Sequence, residues 1–118
     1  MTENKKNGYY VLTKNIEAKQ PYHFVLKAPN HETILDSENY VADRGARNGI
    51  ESVRKHGIDE NNFEQRISKA NEPYFVLKAS NGQIIGKSEM YSSNSACEHG
   101  IKAVMKYAAQ AGLVDKTV

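Results

Sequence analysis

Two stretches of this chain are near copies of each other. FVLKAPNHETILDSENY begins at Phe24, and FVLKASNGQIIGKSEMY begins at Phe75, 51 positions later. The offset holds without gaps as far as Lys55 and Lys106. Within it Phe24, Val25, Leu26, Lys27, Ala28, Asn30, Ile34, Ser37, Glu38, Tyr40, Gly49, Ile50, Val53 and Lys55 recur unchanged. Recurrence in such strict register marks an internal duplication, which restricts the fold to something one unit can build twice. A solenoid needs at least three copies, so two copies predict a pseudo-symmetric pair. The length of 118 residues agrees. A half of about sixty residues is a marginal folder alone, and two halves that bury surface on each other are not.

Each copy has the same internal grammar. Residues 22–28 and 74–79 are aromatic and β-branched runs, as strands prefer. A period of two puts Phe24, Leu26 and Ala28 on one face and His23, Val25 and Lys27 on the other. In the second copy Phe75, Leu77 and Ala79 oppose Tyr74, Val76 and Lys78. Asn81-Gly82 is a hairpin signal because both residues tolerate positive φ. Its counterpart Asn30-His31 lacks the glycine and follows Pro29, which predicts a different turn type. Further strands are expected at 33–38 and 84–89, and earlier ones at 9–14 and 63–69.

After Tyr40 and Tyr91 the period becomes helical. Ala46, Ile50 and Val53, and Cys97, Ile101, Val104 and Ala108, fall on one helical stripe per copy. Asp43 and Asn94 are the expected N-caps, and Gly57 and Gly112 the expected stops. Gly49 and Gly100 lie inside the helices, where glycine costs about 1 kcal/mol against alanine. Their recurrence predicts close approach of helix backbone to sheet. The result is an α+β protein: two tandem three-strand-plus-helix units, 1–60 and 61–118, forming one compact domain. Both helices pack on one face of a common antiparallel sheet, over Phe24 and Phe75, and the Lys27 and Lys78 face is left to water.

Composition narrows the partners. Sixteen basic and fourteen acidic residues give a net charge of +2, too little to demand nucleic acid or an anionic membrane. Cys97 is the one cysteine, so there is no internal disulfide and a reducing compartment fits. MTENKKNG is not a signal peptide, and no apolar run approaches the roughly eighteen residues of a membrane span. The expectation is a cytoplasmic protein.

The FVLKAxN hairpin, the SExY that follows and NGIESV at 48–53 resemble the YegP-like family of small bacterial proteins, a domain of unknown function. The resemblance runs from about Gly8 to the carboxyl terminus and includes the tandem arrangement. HGIKAV in the second copy departs from it at His99 and Ala103. The resemblance implies paired β3-α-β units in one pseudo-two-fold sheet, with the last strand of each unit exchanged between them. Those strands are expected around 60–65 and 115–118. It also implies a monomer, because the tandem chain supplies both halves, and it carries no activity or catalytic residues.

The residues themselves offer little chemistry. His23, His31, His56 and His99 have no metal-ligand spacing with one another or with Cys97, and no phosphate-binding or nucleophile motif is present. No metal, cofactor or catalytic residue is assigned. Cys97 reads as a small buried hydrophobe. Glu38 and Glu89 read as cross-strand partners, and Tyr40 and Tyr91 as packing over the helix starts. The candidate binding surface is the open sheet face: Tyr9, Val11, His23, Val25, Lys27, Tyr74, Val76 and Lys78. Rings and lysines on a sheet form a platform for a protein or for stacked bases. The functional expectation is therefore a non-enzymatic binding module with an unknown partner, and the alternative is single-stranded nucleic-acid binding on the same face.

Overall fold

The computed structural model describes residues 6–117. The first unit contains β1 (Tyr9–Lys14), β2 (Tyr22–Lys27), β3 (Thr33–Asp36) and α1 (Asp43–His56). A turn of 3-10 helix, Glu60–Asn62, leads into β4 (Phe63–Ile67), β5 (Pro73–Lys78), β6 (Ile84–Lys87), α2 (Asn94–Tyr107) and β7 (Gly112–Lys116). The strands form one sheet in the order β4-β5-β6-β3-β2-β1-β7. Neighbours are antiparallel except β1 and β7, which run parallel, so the sheet is mixed.

The two halves meet at β3 and β6, where Asp36 stands opposite Lys87. These positions are 51 apart, so the pseudo-two-fold passes between them. Chain exchange is visible at β7, whereas β4 takes in the second half the place that β1 takes in the first. The segment after α1 enters the second half as β4 and pairs with β5, and the segment after α2 returns to the first half as β7 and pairs with β1. A 3-10 turn precedes β4, and β7 starts at Gly112, earlier than the expected 115.

The helices bury the face that the period-two pattern assigns to them. Tyr10, Leu12, Phe24, Leu26, Phe75 and Leu77 from the sheet meet Ala46, Ile50, Val53, Cys97 and Val104 from the helices in one core. α1 packs on β2 of its own half and on β5 and β6 of the other, and α2 packs on β5 and β3. Each helix thus fastens the two half-sheets together.

Several local expectations change. The N-caps are Ala42, which makes no side-chain cap bond, and Ser93, whose hydroxyl accepts from the Ala96 N–H at 3.1 Å. Asp43 is the first helical residue, and its carboxylate accepts from Arg47 at 2.7 Å. Gly57 is the α1 C-cap but in right-handed conformation, φ −73°. A Cβ there would lie 2.9 Å from that of Ala108, so the glycine serves close packing between helix ends. α2 stops at Tyr107 and Gly112 opens β7. His31, at φ 74°, takes the left-handed position that Gly82 holds at 86°, so the two hairpin turns have the same form despite Pro29. The Tyr9 hydroxyl lies 2.7 Å from His31 Nδ1 and holds the imidazole there.

Leu35 and Gly86 are also symmetry mates, and they are not interchangeable. A Cβ on Gly86 would lie 2.7 Å from Cγ and Cδ2 of Leu35. One isobutyl group fills the space beside the pseudo-axis, and the opposite residue must have no side chain. Overpacking a core costs about 1–3 kcal/mol, and the reverse truncation leaves a cavity. Gly86→Leu and Leu35→Gly are each expected to lower stability in urea unfolding. The double variant should recover more than half of the summed loss, a coupling that independent sites would not show.

The returning strand β7 is held by α1. Arg47 donates to Asp115 at 2.5 Å, and Arg54 Nη1 donates to the carbonyls of Ala109 at 3.2 Å and Ala111 at 2.7 Å. Bonds from Thr117 and then Arg47 hold the Asp115 carboxyl at about 2, below its ordinary 3.8. A depressed carboxyl contributes stability above its unfolded pKa and loses it as pH falls through the folded one. The protection of β7 amides, exchange relative to the intrinsic rate at each pH, is therefore expected to fall between about pH 4 and pH 2, before that of β2. Asp115→Asn should remove that pH step.

Candidate functional site

The face opposite the helices carries one continuous row of residues. Val114, Val11, Val25, Asp36, Lys87, Val76 and Glu64 stand opposite one another across all seven strands. An acid and a base occupy the pseudo-axis, and valines flank them. The eight residues expected on this face form two groups around that row. Tyr9 pairs with Lys27 and Val11 with Val25, with His23 beyond them, in the first half. Tyr74, Val76 and Lys78 follow one another along β5 in the second. β3 and β6 separate the groups.

The face is less open than alternation alone implies. Val76 is 1% exposed, Tyr9 6% and Val11 9%, so these three are not accessible contact residues. Val76 lies between Glu64 and Lys87 in the ladder, whose long stems shelter it, and Val11 lies between Val25 and Val114. His23, Val25, Lys27, Tyr74 and Lys78 remain half-exposed.

Ion pairs knit this surface. His23 Nε2 lies 2.5 Å from Asp36, and Lys78 Nζ 2.5 Å from Glu64. Arg66 donates to the same Glu64 carboxylate at 2.9 Å. Arg66, then Lys78, hold the Glu64 carboxyl at about 2, well below the usual range. The Lys87 ammonium sits 5.9 Å over the Tyr74 ring. His23, Arg66, Lys78 and Lys87 thus have acidic or aromatic partners, which reduces the positive charge this face offers a phosphate backbone.

Two larger concavities lie on the helix side and form a symmetry-related pair. Glu89, Tyr91, His99 and Gly100 line one cleft, of about 520 Å³, with Glu32 and Ile34 from the first half. Their symmetry mates Glu38, Tyr40, Asn48 and Gly49 line the other, of about 560 Å³, with Gln83 and Ile85 from the second half. The strict recurrence of Glu, Tyr and Gly was the sequence signal for these clefts. Read singly, each of those residues looked like scaffold.

Each cleft is lined by a tyrosine ring that stacks on a buried phenylalanine. Tyr40 stacks on Phe24 and Tyr91 on Phe75, with centroids 6.2 and 6.3 Å apart and ring planes 12° from parallel. The Tyr rings, and not the sheet backbone, explain the helical glycines. A Cβ on Gly49 would meet Cζ of Tyr40 at 2.8 Å, and one on Gly100 would meet Cζ of Tyr91 at 2.8 Å. Burial, then the Glu89 carboxylate, push the Tyr91 phenol up to about 12, and Tyr40 rises for the same kind of reasons with Glu38. Both phenols are neutral donors at physiological pH.

The remaining reactive residues are dispersed. Cys97 is fully buried and its thiol is pushed up by desolvation, then by Glu98, which gives a core residue and not a nucleophile. His56 Nδ1 is within 2.9 Å of the Ser52 carbonyl, a bond inside the helix. Among the described residues no group of three or more His, Cys, Asp or Glu could hold a metal ion. None of the described helices is long and apolar enough to cross a membrane.

A duplicated strand-and-helix unit with an exchanged strand and paired Tyr–Gly stacks defines a specific class of small tandem-repeat proteins. The chain belongs to the family described as Domain of unknown function (DUF1508), which matches it twice, at residues 18–64 and 68–115. It is 51% identical over 110 residues to the UPF0339 protein MS1092 of Mannheimia succiniciproducens, covering 93% of this chain and 96% of that one. It is 45% identical over 111 residues to the UPF0339 protein YegP of Yersinia pestis, covering 94% and 97%. Two solution NMR structures share the fold. The UPF0339 protein SO3888 of Shewanella oneidensis has a TM-score of 0.83 at 45% identity, over 92% of this chain and 91% of that one. The protein of unknown function yegP of E. coli has a TM-score of 0.85 at 39% identity, over 93% of each chain. The resemblance to the YegP-like family and the tandem α+β fold are thereby established.

Gly100→Ala tests the stack. It is expected to cost about 1–3 kcal/mol, more than helix propensity, which favours alanine, would allow. In a Tyr91→Leu background the same substitution should cost less than half as much, read from urea midpoints.

Proposed function

We propose that this protein is a non-enzymatic binding module that docks a protein partner on the outward sheet face. The observation that carries the reading is the seven-strand row, with valines on either side of a central Asp36–Lys87 pair. Half-exposed Val25 and Val114 in that row, over the buried Val11 and Val76, suit a protein surface, where apolar contact gives affinity and the central Asp36–Lys87 pair gives register. The half-exposed members of the face, His23, Val25, Lys27, Tyr74 and Lys78, are the contact residues of this reading. It places the chain in the cytoplasm as a monomer: the two halves satisfy each other within one chain, and a free buried Cys97 suits a reducing compartment. Single-stranded nucleic acid on the same face is the weaker reading. Asp36 and Glu64 accompany His23 and Lys78 there, and affinity for nucleic acid depends on uncompensated basic groups.

Affinity capture from the native cell, using the wild-type chain and a Val25→Glu variant of matched melting temperature, tests the proposal. A protein retained by the first is expected to fall by about tenfold or more with the second. Fluorescence polarisation should give no salt-dependent binding of single-stranded RNA or DNA. Capture unaffected by Val25→Glu, or nucleic-acid binding lost in Lys27→Ala/Lys78→Ala, would overturn it.

A further inference from the structure

The sheet ends differently on its two sides. The outer edge of β1 is filled by β7, whereas no strand among the described residues lies beyond β4. Connectivity is the reason. By the 51-residue symmetry the counterpart of β7 would follow α1, but the residues there turn through Glu60–Asn62 straight into β4. Fusion of the two copies therefore leaves one strand position vacant.

The vacant position keeps the features of the filled one. Tyr10 pairs with Leu26, and Phe63 pairs with Leu77, the mate of Leu26. Phe63 thus stands where Tyr10 stands, and Gln65 where Leu12 stands. Ser68 donates its N–H to the Glu72 carbonyl, which sets the alternation along this ladder. Glu64 and Arg66 turn their backbone groups to β5, and Gln65 and Ile67 turn theirs outward. The Asn15 N–H to Pro21 bond sets the same phase in β1, where Tyr10 and Leu12 face β7. Ile67 is 57% exposed, in keeping with an edge that lacks its neighbour.

What differs is charge. Leu12 stands opposite Asp115 of β7, and Asp115 binds Arg47 on α1. At the mate of Arg47 the second helix carries Glu98, which lines a recess of about 80 Å³ with Glu60, Gln65, Ile101 and Lys102. At the mate of Arg54, whose guanidinium holds the carbonyls leading into β7, the second helix carries Met105. The position that receives an acidic strand on one side is acidic on the other.

We propose that the outer edge of β4 is a docking site for an extended peptide segment of a partner protein. The segment runs parallel to β4, bonds to the outward backbone groups of Gln65 and Ile67, and carries a basic side chain opposite Gln65 that meets Glu98. β-Strand addition of this kind draws affinity from the main chain and specificity from alternate side chains. A second copy's β7 is disfavoured as the occupant because its Asp115 would confront Glu98. This surface is separate from the outward face, and neither depends on the other.

Two synthetic peptides test the idea against the full chain by NMR titration: AGLVDKTV, the protein's own 111–118 segment, and AGLVKKTV, with lysine at the Asp115 position. The lysine peptide is expected to shift the Gln65 and Ile67 amides and slow their exchange. It should bind about tenfold more tightly than the aspartate peptide at low salt, and Glu98→Arg should reverse that preference. No perturbation of β4 up to about 1 mM lysine peptide would overturn the proposal. So would equal affinity for both peptides, a preference untouched by Glu98→Arg, or β4 shifts that track protein concentration alone, which would indicate a second copy on this edge.

Discussion

Two half-sheets in this protein are joined by very little backbone. β3 and β6 share the one residue pair Asp36–Lys87, too short a ladder to align three strands with four. The helices supply the rest. α1 and α2 each lie across strands of both halves, so the buried apolar surface that folds one half also fixes its angle to the other. The Phe–Tyr–Gly stacks set the height of each helix above the sheet, because the missing Cβ lets the ring lie against the helix backbone. Without those contacts the junction would rest on the Asp36–Lys87 pair and on Leu35 against Gly86.

Duplication made this arrangement, and divergence has since assigned the copies different work. Leu35 and Gly86 divide one volume between them. Arg47 and Arg54 grip a returning strand, and Glu98 and Met105 at the same helical positions grip none. His99 with Glu32 lines one cleft where Asn48 with Gln83 lines the other. Residues along the axis and at the two sheet edges differ between copies, whereas the stack residues do not. Symmetry persists where both halves bear the same mechanical load.

The fold was legible because its signals are local and doubled. Alternation placed Phe24, Leu26, Phe75 and Leu77 in the core, and helical spacing placed Ile50, Val53, Ile101 and Val104 opposite them. Other features depend on partners distant in the chain. Nothing near Gly49 announces Tyr40 as its reason, and Pro29 could not reveal that Tyr9 would hold His31 in a left-handed turn. The outward face was legible in direction but not in exposure. Period two says which way Val76 points, yet not that Glu64 and Lys87 close over it. The clefts escaped because each is made by residues of both copies.

The parallel pair of β1 with β7 joins nearly the first residues of the fold to nearly the last. A ribosome making this chain therefore delivers β1, β2, β3 and α1 long before the strand that covers β1 exists. During that interval the β1 edge, with Tyr10 and Leu12 beside it, is an open template for wrong pairing in the nascent chain. Completion of this edge waits for β7, and a chain stalled before Gly112 would leave β1 unguarded.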